Sequence, residues 1–178
     1  MGYKLYTSKV ITQNSNSFLE ACLWAHNQFK YRVDRLGMDS TKCYDRYNIF
    51  TLTSANFLFY NLFKELNFHI RSYIGDDRPL WLQAWLNFHS PDEVLTKHGH
   101  NFAYHGYISI DPKNTLTIFN NFTIKNTPGQ IYIGPGGAGY EHYVKVLEPF
   151  NGKRITIGFD IITEPTHNLT NLSFIPLI

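Results

Sequence analysis

The stretch LTIFNNFTIKNTPGQIYI, residues 116–133, holds three short runs rich in β-branched and aromatic residues: Leu116–Phe119, Phe122–Lys125 and Gln130–Ile133. Turn-forming residues separate them, Asn120-Asn121 in one gap and Pro128-Gly129 in the other. Runs of this kind, bounded by Asn, Pro and Gly, read as strands joined by tight connections. The pattern extends in both directions. Upstream lie Leu80–Phe88 and Tyr107–Ile110, and downstream lie His142–Leu147, Arg154–Ile162 and a terminal run at Leu172–Ile178. About eight strands in so short a span predict a barrel or jelly roll.

Before Leu80 the period changes. Ser17-Phe18-Leu19-Glu20 has the form of a capping box, and Phe18, Cys22, Ala25, Phe29, Val33 and Leu36 follow as an apolar stripe at helical spacing. Gly37 is the expected stop. A second helix is expected from about Ser54 to Arg71, with Leu58, Leu62, Leu66 and Ile70 on one face and the turn Gly75–Pro79 behind it. Helices first and strands afterwards predict an α+β, mainly β protein, its N-terminal helices packed outside the β core. A chain of 178 residues suits one domain, with residues 1–79 as helical support and 80–178 as the core.

Composition narrows the function classes. Hydrophobic residues make up 43% of the chain and charged residues 17%, and the formal net charge is only +2 with the basic residues scattered. That gives no electrostatic case for nucleic acid as a partner. Cys22 and Cys43 alone frame neither a disulfide scaffold nor a zinc site. No run of apolar residues is long enough to span a membrane, and no export signal is visible, so the Asn-x-Ser/Thr triplets at Asn121, Asn168 and Asn171 are read as chance. The expected location is a reducing cytoplasm.

The chemistry gathers around histidine. Residues two apart on a strand point to one side, so His98 and His100 can offer two imidazoles to one metal ion. A third, His142, opens a strand just after the glycine-rich turn Gly134–Gly139, and Arg154 begins the next strand. Histidines on one side of a metal leave its other positions open for a chelating cosubstrate. Arginine supplies a planar, permanently charged partner for a carboxylate, and Thr156 shares the face of Arg154. The glycine-rich turn lacks a following Gly-Lys-Ser/Thr and reads as a flexible turn, not a phosphate loop.

The segment from Trp85 to Asp160 resembles the iron(II)/2-oxoglutarate-dependent oxygenase superfamily, in particular its phage and bacterial prolyl-hydroxylase-like branch. The residues that carry the resemblance run in order: Trp85-Leu86-Asn87, His98-Gly99-His100, Gly106-Tyr107-Ile108-Ser109, Pro128-Gly129-Gln130-Ile131-Tyr132, Glu141-His142-Tyr143-Val144, and Arg154-Ile155-Thr156-Ile157-Gly158-Phe159. Residues before Leu80 carry no motif of the family. The resemblance implies a cupin-like double-stranded β-helix and a dioxygenase that couples oxidation of 2-oxoglutarate to hydroxylation of a substrate. It implies iron ligation by His98 and His142, and binding of the distal carboxylate of 2-oxoglutarate by Arg154 and Thr156. Asn87 is either a contact to cosubstrate or substrate, or a strand asparagine satisfied within the fold.

His100 departs from the family pattern, which has Asp or Glu there. Three outcomes stay open: a ligand in a three-histidine site, a spectator to a two-histidine site, or a protein that has lost activity. Glu141 points away from His142 in a regular strand and is a poor substitute, and His105 stays unassigned near the pocket mouth. Tyr107 and Tyr132 can face either the barrel interior or the core. Two other functions compete with the oxygenase. One is a cupin-type three-histidine metal protein, and the other is a jelly-roll binding module without metal. The substrate, a protein side chain or a small molecule, is not legible.

Overall fold

The computed structural model describes residues 2–33, 40–93, 96–164 and 173–177. Strand β1 (Lys4–Thr7) precedes four helices, α1 (Lys9–Gln13), α2 (Ser15–Val33), α3 (Ile49–Leu52) and α4 (Phe57–Ile74). Then come β2 (Leu80–His89), β3 (Tyr104–Asp111), β4 (Thr115–Phe119), β5 (Thr123–Lys125), β6 (Gln130–Pro135), β7 (His142–Val146), β8 (Arg154–Ile162) and β9 (Ile175–Leu177). The protein is mainly β, with two antiparallel sheets. One has six strands in the order β1-β6-β3-β8-β2-β9, and the other has three in the order β5-β4-β7.

The helices start and stop for local reasons. Asn56 caps α4 by accepting hydrogen bonds from the backbone N–H groups of Leu58 and Phe59, and Gly75 ends it at φ 81°. The expected capping box is displaced. α2 begins at Ser15, so Ser17 lies inside its first turn, and the carbonyl of Asn14 takes the N–H of Phe18. Leu36 and Gly37 lie outside the described residues. Ser8 caps α1 and ties it to α4, because its hydroxyl donates to Glu65 at 2.5 Å while its oxygen accepts from the Ile11 N–H. No described helix is long and apolar enough to cross a membrane.

The central strands of the six-stranded sheet are buried on both faces, which explains why they read as nearly unbroken apolar runs. Along β8, Ile155, Ile157, Phe159 and Ile161 face the helices and join Phe18, Cys22, Ala25, Phe59, Leu62, Leu66 and Ile70 in one core. The alternate residues Arg154, Thr156 and Asp160 face the other way and are also buried. The same division sends Leu82, Ala84, Leu86 and Phe88 of β2 to the helices and leaves Trp85 and Asn87 on the opposite face. That opposite face meets the small sheet through a second cluster of Tyr107 and Tyr132 with Phe119 and Ile124. β4 and β7 bury every second residue only, so the small sheet keeps one face toward solvent.

Gly106 marks a tight point of this packing. A Cβ there would overlap the ring of Phe159 and the carbonyl oxygen of Tyr132, and a backbone atom cannot rotate away. Gly106→Ala is therefore expected to destabilise the chain by about 3 kcal/mol, the upper range for overpacking. A thermal or urea denaturation series checks this, and an unchanged midpoint would contradict the packing described.

Candidate metal centre

His98 lies in an isolated bridge, not in the regular strand that the sequence suggested. Its N–H donates to the carbonyl of His142 at 3.0 Å, and the N–H of His142 donates to the carbonyl of His98 at 2.9 Å. Residues that exchange both hydrogen bonds stand directly opposite, with side chains on the same side. The two rings accordingly sit with centroids 4.4 Å apart. His100, two residues on, brings its ring to 5.4 Å from each. One ligand nitrogen from each of His98, His100 and His142 lies within 4.8 Å of the others, as a shared metal ion requires.

The glycine-rich turn holds this loop in place. Gly137 donates its N–H to the carbonyl of His100 at 2.7 Å, and Gly136 donates to that of Ala103 at 3.1 Å. A Cβ on Gly136 would overlap the Phe102 carbonyl oxygen, so glycine is required there for close backbone approach. The turn is thus a clamp on the histidine loop, where the sequence suggested only flexibility.

Each imidazole has its Nδ1 engaged. The Nδ1 of His98 bonds the carbonyl of Thr96 at 2.7 Å, that of His142 bonds the carbonyl of Tyr140 at 3.3 Å, and that of His100 bonds the carboxylate of Asp160 at 2.7 Å. Acceptors at Nδ1 fix the proton there and leave Nε2 with a free lone pair, the usual arrangement behind a metal-binding histidine. Burial lowers the pKa of His98, and burial together with the neighbouring His98 and His100 holds His142 down to about 3. Neutral imidazole is the ligand form, so the fold prepares both for a metal.

His105, left unassigned from sequence, is 1% exposed and sits behind the centre. Its ring stacks on His100 at 4.5 Å and lies parallel to His142 at 5.3 Å. Neither of its ring nitrogens makes a well-aligned hydrogen bond, and burial holds its pKa well below the ordinary range. Glu141 pairs with Lys97 at 3.0 Å and Asp111 with Lys113 at 2.7 Å, so neither carboxylate is turned to the histidines.

A narrow inner chamber of about 40 Å³ opens beside the centre, lined by His98, His100, His142, Asn87, Arg154 and Thr156 among others. The structure thus brings together all six side chains singled out from sequence. Arg154 is 3% exposed, its Nε and Nη1 lack hydrogen-bond partners, and no carboxylate among the described residues pairs with it. Burial lowers its pKa to about 10, which leaves it charged at neutral pH. Asn87 accepts from the Thr41 hydroxyl at 2.9 Å and donates to the hydroxyl of Thr156 at 3.2 Å. Thr156 then retains its own proton to donate beside Arg154. Trp85, His98 and His100 also line an outer cleft of about 440 Å³, together with Thr41, Tyr44, Phe102 and Asp160.

No protein-family model matches the chain, and no curated protein matches it in sequence. The candidate centre therefore rests on its geometry: a three-histidine metal site compatible with a cupin-like metal protein.

The lowered histidine pKa values set a pH dependence. Unfolded histidines take up protons near pH 6.5, whereas His142 in the fold resists until about pH 3. Below about pH 6.5 the unfolded chain binds more protons, so stability of the metal-free protein falls with pH across that window. Denaturation in a chelator at about pH 7.5 and about pH 5 tests this, with the lower midpoint expected at the lower pH and a smaller difference in His142→Gln. A pH-independent midpoint would refute it.

Proposed function

We propose that the protein is a non-haem iron(II), 2-oxoglutarate-dependent dioxygenase, of the prolyl-hydroxylase-like kind, built on a double-stranded β-helix. The observation that carries this reading is a buried, uncompensated guanidinium in the same chamber as three imidazoles with free Nε2 atoms. A buried charge without a partner is costly by several kcal/mol. Its retention is accounted for by an anionic ligand, and a carboxylate suits the arginine fork. The fold reading is supported by the path of the chain. It passes from β2 to the His98 bridge, back to β3, out to β4 and β5, back to β6, out to β7 and back to β8.

The donor set fits the metal and the cosubstrate. His98, His100 and His142 would hold iron(II), for which imidazole is a suitable ligand, and Arg154 with Thr156 would hold the distal carboxylate of 2-oxoglutarate. Iron(II) with 2-oxoglutarate and O₂ supplies oxidative decarboxylation to succinate and CO₂, coupled to hydroxylation of a substrate C–H bond. Asn87 keeps Thr156 oriented through their hydrogen bond. Trp85 and Tyr107 wall the chamber and limit water around the reacting groups. Tyr44, Trp85 and Phe102 would hold the substrate in the outer cleft, as a protein side chain or a small molecule. A reducing cytoplasm, of a bacterium or of a phage's host, keeps iron in the ferrous state and Cys22 and Cys43 as free thiols.

The second reading is a three-histidine metal protein without 2-oxoglutarate. It is favoured by the size of the inner chamber, which admits only a few water-sized groups unless side chains move. Anaerobic titration separates the two. Under the oxygenase reading, iron(II) followed by 2-oxoglutarate produces the weak visible charge-transfer band of an iron–keto-acid chelate, and His98→Ala abolishes it. Iron binding without the band selects the second reading, and absence of any metal binding leaves a jelly-roll binding module.

Arg154→Met provides an independent check. Removal of the unpaired charge is expected to stabilise the ligand-free chain by at least ~1 kcal/mol. The same substitution should abolish 2-oxoglutarate binding while iron binding persists. A destabilised Arg154→Met chain would mean that the guanidinium serves the fold and not a ligand.

A further inference from the structure

We propose that Asp160 acts as the carboxylate of the metal centre at one remove, delivering its negative charge to the metal through His100; this rests on the metal-centre reading above. Asp160 lies on β8, six residues beyond Arg154 and on the same face. It is 3% exposed, and its Oδ1 accepts from the Nδ1 of His100 at 2.7 Å. No lysine or arginine among the described residues pairs with it. Its charge is therefore directed at one imidazole, and through that ring at whatever Nε2 binds.

The three histidines are not equivalent in this respect. His98 and His142 bond neutral backbone carbonyls, and only His100 bonds an anion. An imidazole that donates to a carboxylate gains imidazolate character and becomes a stronger metal ligand. The charge balance follows. A divalent ion with two imidazoles and a ligand carboxylate forms a unit of net charge +1. A divalent ion with three imidazoles and Asp160 forms a unit of the same charge, with the anion moved to the far side of one ring. His100 is also fixed in plane, with Trp85 on one side at 6.2 Å and 22° and His105 at 4.5 Å and 6°. That geometry aims its Nε2 and keeps the bond to Asp160 from rotating away.

Asp160 is thus a positioning residue, and metal alone tests it. Cobalt(II) titration of the metal-free full chain is compared for the parent, Asp160→Asn, His100→Ala and the double variant, with the cobalt visible spectrum as a second readout. Asp160→Asn keeps the shape and an acceptor oxygen but loses the charge. The expected result is about a 10–100-fold loss of cobalt affinity with the cobalt spectrum retained. In the His100→Ala background the same substitution should change affinity by less than about twofold. Equal affinity of Asp160→Asn and parent overturns the proposal, as does the same loss in both backgrounds, which would show a general effect on the fold.

A measurement on the parent chain keeps the test decisive where Asp160→Asn does not fold. In the zinc(II)-loaded protein, the Nδ1 proton of His100 should resonate far downfield, as in a strong bond to a carboxylate, and its absence overturns the proposal. A parent that binds neither cobalt nor zinc overturns it together with the metal-centre reading. Cobalt binding that depends on Asp160, in a chain that ignores 2-oxoglutarate, supports the role of Asp160 and removes the oxygenase reading alone.

Discussion

A strand buried on both faces divides its residues between two tasks, and the organisation of this protein follows from that constraint on β8. Its odd-numbered residues, Ile155 to Ile161, are committed to the core shared with the helices. Its even-numbered residues, Arg154, Thr156, Gly158 and Asp160, can then face only the small sheet. A shift of register by one residue would place Arg154 among leucines and isoleucines. The hydrophobic core thus fixes the position of the polar site. β2 and β3 flank β8 under the same rule, and they supply Asn87 and His105 to the chamber side.

The small sheet contributes differently. β4 turns Thr115 and Thr117 inward, where Thr117 and Tyr107 donate to Asn126 and Asn126 donates to Thr115. Leu116 and Ile118 lie on the outer, half-exposed side. The interior between the sheets is therefore polar near the inner chamber and aromatic elsewhere. Groups in such a space interact strongly, because little water screens them. The guanidinium of Arg154, which no carboxylate among the described residues pairs, shares the chamber lining with the three histidines, and the carboxylate of Asp160 bonds one of them, His100.

Much of this was legible in the sequence. β8 spans Arg154–Ile162 as read from its apolar run, and β4 to β7 fall within a residue or two of expectation. Hydrophobic alternation and turn residues carry that information locally. His98, His100, His142, Asn87, Arg154 and Thr156 converge as their order along the chain suggested. The elements not read were the short ones. β1 has four residues, mostly exposed, and forms because β6 offers a free edge; α1 and α3 are too short for periodicity to register. Asp160 was missed because the carboxylate weighed as a substitute was Glu141, next to His142 in the chain, whereas the carboxylate that meets His100 lies on β8. Its even spacing from Arg154 and Thr156 was the available signal. His105 was unassigned because β3 starts at Tyr104, earlier than its apolar run implied, and only that start fixes which way the ring points.

The bridge between His98 and His142 has a consequence for the loop that carries it. Among the described residues, two backbone hydrogen bonds join this segment to the small sheet, and His98 is flanked by a bend at Lys97 and irregular backbone at Gly99. An ion shared by the two facing imidazoles would act as a rivet through the same point, adding a third connection where the seam is shortest. Loop docking and ion capture then become one equilibrium, in which each raises the population of the other. The wall of the outer cleft, built from the same loop, would close firmly only in molecules that carry the ion. A chain without it would carry a looser cleft wall, so that ion binding and order in the cleft arrive together.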